Sequence, residues 1–520
     1  MENDVKIALV APPYPLSEAP SPPLGLCYVG AAFRAAGAQV RIFDYIVSAY
    51  NKDKLARQLA EFAPDVLGTG SVTMNFPTAL QILADAKTLQ PTLITIIGGA
   101  HVSFTARETL EKNPFLDIIV IGEAEATIME LAPLLDDSSQ WDDIAGIAFR
   151  RAGEIFQNKP RQLIANIDSI PLPARDLLPL SRYKALGFPI SMLTSRGCPY
   201  GCIFCQGRRL VGAKPRLRSP ELVVEEMKTI LGMGFGRINI ADDLFTIEAG
   251  RAQSICEEIL RGGLHFQWSA FVRANTVDLE TLRLMKRAGC DSVSFGVESG
   301  DEEILKKIKK GITLDMAHKA AALCKEAGLI ALASFIVGLP SETPDSLERT
   351  KNFAAALGCH YGFHILAPFP GTTVREEIEK YDLEILTNEW ARYDANQAVI
   401  RTSALSARDI EAFVDAFERE ITAERDEQLR LWGKNILPPD VEMRLSGYQQ
   451  TKLIFALLEG DLLEKSYEDV SSNGKYPRSD FYGHIAAATG FERDFVTKVI
   501  DSLMARSLIV ADGNGAWRWS

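Results

Sequence analysis

The chain is poor in several things, and each shortage excludes a class of protein. It has 8 cysteines and 6 histidines in 520 residues. So few thiols cannot build the disulfide framework of a small secreted domain. No long hydrophobic run is present: the longest, around "LIALASFIVGLP", is about 12 residues, too short to cross a bilayer. The start, "MENDVKIALV", lacks the basic region and apolar stretch of a secretory signal, so a cytoplasmic protein is expected. Basic residues are outnumbered 68 to 56, giving a net charge of −12. An acidic chain has no general attraction to a nucleic-acid backbone or an anionic membrane. The first strand-like segment is followed by "APPYPLSEAPSPPLGL" rather than GxGxxG, which argues against NAD or FAD. Internal repeats and low-complexity tracts are missing as well.

What is present is enough for roughly two to four domains. Residues 1–135 alternate short apolar runs with helical patterns. Strands are expected at Val5–Ala11, Val40–Asp44, Asp65–Ser71, Thr92–Gly99 and Leu116–Glu123. That rhythm predicts a doubly wound, Rossmann-like parallel sheet, which binds ligands at its strands' carboxyl ends. Residues 136–190 read as a hairpin turning at Ala152–Gly153, then a proline-rich linker. Residues 191–375 resume the alternation in about six units, a partial (β/α)6 barrel. Residues 376–520 are mostly helical. From about 445 to 520, two helices with a Thr-Gly turn and a hairpin at Asn514–Gly515 look like a winged helix.

Five cysteines are scattered among apolar or helical neighbours and read as buried small hydrophobes. The other three stand together in "TSRGCPYGCIFCQG": Cys198, Cys202 and Cys205, spaced Cys-x3-Cys-x2-Cys just after the first barrel strand. Zinc normally closes its site with four protein ligands, and no second Cys or His pair lies nearby. Three thiolates in a glycine-rich loop suit an iron–sulfur cluster. Three ligands on a four-iron cluster leave one iron open to a small molecule.

The triplet, with Phe204 before its last cysteine, resembles the radical S-adenosylmethionine (SAM) superfamily. The segments "WSAFVRAN", "DSVSFGVESG", "SFIVGLPSET" and "APFPGTT" also resemble that family. The resemblance implies a [4Fe-4S] cluster on Cys198, Cys202 and Cys205 whose open iron binds SAM. Reductive cleavage of SAM then yields a 5′-deoxyadenosyl radical. It further implies that Arg273, Glu298 and Ser299 meet SAM's polar groups and that the Phe204 region meets its adenine. The alternative for each is a barrel salt bridge or a tight turn.

The N-terminal pattern "PPLGLCYVGAAFRAAGAQVRIFD…PDVLGTGS…IIGGAHVS…IVIGEAEATIMEL" is similar to the cobalamin-binding domains fused to radical SAM barrels. Ser71-Val72-Thr73 stands 24 residues before Gly98-Gly99. By the resemblance these small residues, with His101 and Glu123, contact cobalamin. The place of the family's DxHxxG motif is taken by Leu24–Val29, with no histidine, so the lower axial cobalt ligand is unassigned. His101 reads either as a cobalt ligand or as a helix-start residue with a structural role. Glu123 and Glu125 bind cofactor edge groups or cap a helix.

The resemblance implies transfer of a methyl group from cobalamin to an unactivated carbon of a small-molecule or peptide substrate. An electron donor such as flavodoxin or ferredoxin is also implied. The layout is similar to the anaerobic magnesium-protoporphyrin ester cyclases too, so ring-forming oxidation is a second expectation. A radical SAM enzyme without cobalamin is a third. Tyr361, His360 and His364, and the pair Asp242 and Asp243, are open between substrate contact and structural roles. A redox-sensing DNA-binding regulator is disfavoured, because Tyr448 to Ser520 holds 8 basic and 10 acidic residues where a recognition helix carries a basic excess. The C-terminal module is instead expected to cover the barrel mouth or to bind a protein or substrate.

Overall fold

The computed structural model describes residues 5–14, 20–434, 436–465, 478–511 and 517–520. Its N-terminal sheet starts with β1 (Lys6–Ala11), β2 (Gln39–Asp44), β3 (Val66–Gly70), β4 (Ile94–Gly98) and β5 (Ile118–Val120). These five are parallel, in the order β2-β1-β3-β4-β5. Strands this apolar are buried on both faces. Along β1, Ala8 and Val10 enter one flanking core, while Ile7 and Leu9 enter the other. Strand order reverses between β1 and β3. In a doubly wound sheet that switch point opens a crevice at the carboxyl ends.

The hairpin expected within 136–190 forms, as β6 (Ile147–Arg151) and β7 (Glu154–Gln157). Ala152 and Gly153 turn it with φ of 51° and 85°. It does not stand apart from the N-terminal sheet: Val120 pairs with Ile147, which adds the two strands antiparallel to β5. The reason is burial, since Ile147, Ala148 and Phe149 fill the sheet's own cores.

The second sheet begins at β8 (Ile190–Met192). A short ladder of β9 (Ser195–Arg196) and β10 (Arg216–Leu217) follows. Next come β11 (Arg237–Ile240), β12 (Gln267–Phe271), β13 (Cys290–Glu298), β14 (Ile330–Val337) and β15 (His360–Ile365). Six of these strands, all parallel, run in the order β15-β14-β13-β12-β11-β8, an open six-unit barrel.

Two long helices tie the barrel's free edges together. Helix Ala407–Leu431 lies on the outer face of β15, where Phe363 meets Phe413 and Phe417 at 5.1 and 5.0 Å between ring centres. Helix Pro439–Glu459 packs near β8, with Phe455 against Phe188. Tyr361 stacks on Phe417 in this seam, so it is a packing residue. Beyond lie helices Arg478–Thr489 and Arg493–Ala505 and the antiparallel pair Ile509–Ala511 and Trp517–Trp519. The expected Asn514–Gly515 turn and residues 466–477 fall outside the described residues. Among the described residues, this end packs against the helix that leads into β8 and not over the barrel mouth. Ser181 Oγ donates to Ser520 O at 2.7 Å and Arg506 Nη2 to Lys184 O at 3.0 Å, on the helix that leads into β8's amino end.

Candidate active site

The three-cysteine loop is braced from several directions. Strand β9 pairs with β10, and Cys198 N donates to Gly212 O at 3.1 Å, closing the loop at its base. Gly197 turns with φ of 102°, and a Cβ there would meet Lys214 O at 2.8 Å, so only glycine fits. Ile203 N donates to Ile308 O, while Val374 N donates to Ile203 O. Gln206 Nε2 reaches Pro370 O. The "PFPGTT" segment thus supports the loop directly. Among the described residues, no three His, Cys, Asp or Glu side chains converge on one metal-ion position.

Beside Cys198 lies a cavity of about 310 Å³, lined by Tyr200, Asp243, Arg273, Ser294, Gly296 and Lys310 among others. The Arg273 guanidinium lies 3.7 Å from the Tyr200 ring centre, and its Nη1 is 3.9 Å from Cys202 Sγ. Its Nε and Nη2 are buried with no hydrogen-bond partner among the described residues. Buried donors left open in this way fit an incoming polar ligand. Glu298 adopts φ of 75° at the end of β13 and pairs with Lys310, which lines the cavity. Ser299 is fully buried, with its hydroxyl 3.3 Å from Thr350 Oγ1 and accepting from Asp301 N. Neither lines this cavity. Phe204 is half-buried against the barrel core, with Lys310 Nζ 5.9 Å from its ring centre.

A larger cavity, about 560 Å³, opens at the carboxyl ends of the N-terminal strands and reaches the cysteine loop. Ser71, Gly98, Gly99 and Glu123 line it, as do Tyr28, Arg196 and Leu210. Gly99 has φ of 109°, and a Cβ on it would lie 2.3 Å from Ser71 O. The Ser71 hydroxyl is buried without a hydrogen-bond partner among the described residues. An apolar slot floored by glycines, with one open hydroxyl, fits a bulky cofactor whose edges are polar.

His101 and Thr73 stand behind this cavity, not in it. His101 stacks on Phe76 at 4.0 Å, meets Trp390 edge-on at 4.8 Å and lies 3.3 Å from Thr73 Oγ1 through Nδ1. Burial pushes its pKa down to about 4. These contacts are those of a packed, structural side chain. Glu123 and Glu125 are engaged by Arg196 and Arg216 of the β9–β10 ladder. These guanidiniums and the Ile164 N–H hold the Glu123 pKa below its ordinary value despite burial. Asp242 is buried and accepts from Thr194 N, Thr194 Oγ1 and Ser195 Oγ, which pins the end of β8. Asp243 accepts from Gly197 N at 3.3 Å, and burial raises its pKa. His360 and His364 are exposed on the other face of β15 from Phe363.

Residues 192–354 match the radical SAM superfamily, and residues 17–132 match the B12 binding domain. The chain is 35% identical over 414 residues to the uncharacterized methyltransferase PH0819 of Pyrococcus horikoshii, covering 78% of this chain and 90% of that one. The chain belongs to the cobalamin-dependent radical SAM methyltransferase family. It is an enzyme whose cofactors are a [4Fe-4S] cluster, SAM and cobalamin, and such enzymes require a substrate and a reductant. It is also 27% identical over 402 residues to the anaerobic magnesium-protoporphyrin IX monomethyl ester cyclase of Cereibacter sphaeroides, covering 75% of this chain and 65% of that one. Its fold matches that of OxsB, a cobalamin-dependent SAM radical enzyme solved with aqua-cobalamin and SAM bound. The TM-score is 0.70 at 18% identity, over 99% of this chain and 82% of that one.

Sequence reasoning about this family site missed Lys310, Tyr200, Arg196 and Arg216. Lys310 stands in "KKIKKG", where its neighbours are surface lysines and nothing in the string marks one as buried. Arg196, two residues before Cys198, was legible as part of the loop but not as the partner of an acid 71 positions away. Among the described residues, no helix is long and apolar enough to cross a membrane.

Proposed function

We propose that the chain transfers a methyl group to an unactivated carbon of a small-molecule or peptide substrate held where its two cavities meet. The supporting observation is that Ala241 and Asp243 line both the cavity beside Cys198 and the cavity at the N-terminal strand ends. A substrate there has both cofactor sites within reach. In this reading Cys198, Cys202 and Cys205 hold the cluster. Arg273, through its open Nε and Nη2, and Lys310 receive SAM's polar end. Ser71, Gly98 and Gly99 accommodate the buried tail of cobalamin. When bound, the cluster with SAM supplies a carbon-centred radical and cobalamin supplies the methyl group.

The chain's own residues hold, orient and exclude water. Tyr200 stacks the Arg273 guanidinium and keeps it at the loop. Leu210, Leu193 and Tyr28 line the larger cavity with apolar surface. Asp243 presents its carboxylate at the junction. No side chain need act as nucleophile or base on an sp3 carbon. We place the end of the N-terminal unit after β7 rather than at residue 135. The electron donor is a flavodoxin or ferredoxin, and the setting is the cytoplasm.

Anaerobic reconstitution with iron, sulfide, cobalamin and SAM tests the reading. Cluster-dependent formation of 5′-deoxyadenosine by a chain that also takes up cobalamin is expected. A loaded cluster that never cleaves SAM contradicts it. SAM cleavage without cobalamin uptake indicates an enzyme that works without that cofactor.

A further inference from the structure

Four charged side chains meet between the two halves of the molecule, and none is needed to bind iron or cleave SAM. Glu123 and Glu125 follow β5 of the N-terminal sheet. Arg196 and Arg216 face one another across the β9–β10 ladder. Arg216 grips Glu123 with both arms of its guanidinium, Nη2 to Oε1 at 2.7 Å and Nη1 to Oε2 at 2.8 Å. Arg196 Nη2 meets Glu125 Oε1 at 2.5 Å, and its Nη1 meets Glu123 Oε1 at 3.2 Å. All four side chains are 6–10% exposed. Much of the remaining capacity is used: Ile164 N donates to Glu123, and Arg216 donates to Ile164 O and Val211 O, while Arg216 Nε is buried with no partner among the described residues. The Arg196 guanidinium lies 5.2 Å from the Tyr28 ring centre.

Such a group gains little stability, because desolvating four charges costs about what their attraction returns. What it does specify is geometry. A bidentate, planar Arg–carboxylate pair resists rotation, and a second pair beside it resists twisting about the first. The location gives that rigidity a purpose. Arg196 is two residues before Cys198, and the ladder it shares with Arg216 closes the cysteine loop. Glu123, Glu125 and Arg196 also line the larger cavity.

We propose that Glu123, Glu125, Arg196 and Arg216 are positioning residues that fix the cysteine loop relative to the cobalamin-side strand ends, and so set the cluster-to-cobalt distance. This rests on the placement of the cluster and cobalamin given under the proposed function.

The test uses the full chain loaded anaerobically with iron, sulfide and hydroxocobalamin, in wild-type, Glu125→Gln and Arg216→Lys forms. Iron content, cobalamin content and unfolding temperature are measured first. After chemical reduction with dithionite, the magnetic dipolar interaction between the reduced cluster and cob(II)alamin is read by pulsed electron paramagnetic resonance. The wild-type chain is expected to give one narrow distance distribution. Both variants are expected to load both cofactors but to broaden that distribution about twofold, because Gln removes a charge and Lys removes the fork. Should Glu125→Gln fail to fold, Arg216→Lys, which keeps the charge, carries the test. Loaded variants with an unchanged distribution overturn the proposal, even if their unfolding temperature falls, since that is a purely stabilising role. A wild-type chain that takes up iron but no cobalamin overturns the underlying placement, and the proposal with it.

Discussion

Lys310 Nζ lies 2.6 Å from Glu298 Oε1, and both side chains are 8% exposed. The pair folds back over β13, where a Cβ on Gly296 would come within 2.0 Å of Glu298 Oε1 and 2.9 Å of Lys310 Nζ. Glycine at 296 is therefore what admits the pair. Lys310, not Glu298, faces the cavity beside Cys198. Lys310→Met leaves a buried carboxylate unpaired, which typically costs about 3–5 kcal/mol. The variant is expected to unfold earlier and to bind SAM at least about tenfold more weakly. Calorimetric titration of the cluster-loaded protein with SAM, alongside denaturant unfolding, checks both.

Gly99→Ala is expected to separate the two cofactors. Its Cβ would meet Ser71 O at 2.3 Å with φ at 109°, a strain of about 1–3 kcal/mol before the clash is counted. The distortion falls on Ser71 and the larger cavity. Cobalamin retention after gel filtration is expected to fall sharply, while iron content per chain holds.

Much of the fold was legible because its signals are periodic. The apolar runs "IALVA" and "ITIIG" give buried parallel strands whatever they pack on, and the cysteine triplet carries its own spacing. The hairpin's docking on β5 was not legible, since its residues pair equally well with any free edge. Glu298 and Ser299 stand at the end of β13, as the pattern suggests, next to a register shift between Gly296 and Glu298 that no sequence signal marks. Lys310 and the Arg216–Glu123 pair join residues 12 and 93 positions apart, and only tertiary structure brings such charges together.

His101 gives a pH signature. Its imidazole is held neutral, with a pKa near 4 against an ordinary 6.5, because burial disfavours the cation. The unfolded chain therefore takes up its proton first as pH falls. The stability this residue contributes is full above pH 6.5 and is lost progressively toward pH 4. Relative to His101→Phe, the wild-type protein is expected to lose on the order of 2–3 kcal/mol over that window. Cobalamin content is expected to be equal in the two. Denaturant unfolding at a series of pH values reads the difference.

Glu342 gives the opposite signature. It lies in "GLPSE", where Oε2 accepts from Gly338 N at 2.6 Å and Leu339 N at 3.2 Å, and burial raises its pKa to about 8. A raised pKa means that the folded chain keeps the proton. The stability from this group is full below pH 4.5 and declines as pH rises toward 8. Glu342→Gln retains an acceptor oxygen without the charge. The variant is expected to match the wild type at pH 4.5 and to exceed it at pH 8 by on the order of a few kcal/mol, measured by thermal or denaturant unfolding.

Methyl transfer itself is tested most directly with SAM carrying a 13C label on its methyl group. The reconstituted chain, with cluster, cobalamin and reductant, is incubated with fractionated small molecules and peptides from cells that encode it. Labelled product, 5′-deoxyadenosine and S-adenosylhomocysteine are then counted together. The account predicts a product that gains one labelled methyl group, with all three formed in equal amounts, and no product from Cys202→Ala. A product formed without label, or a labelled product made equally well by Cys202→Ala, would contradict it.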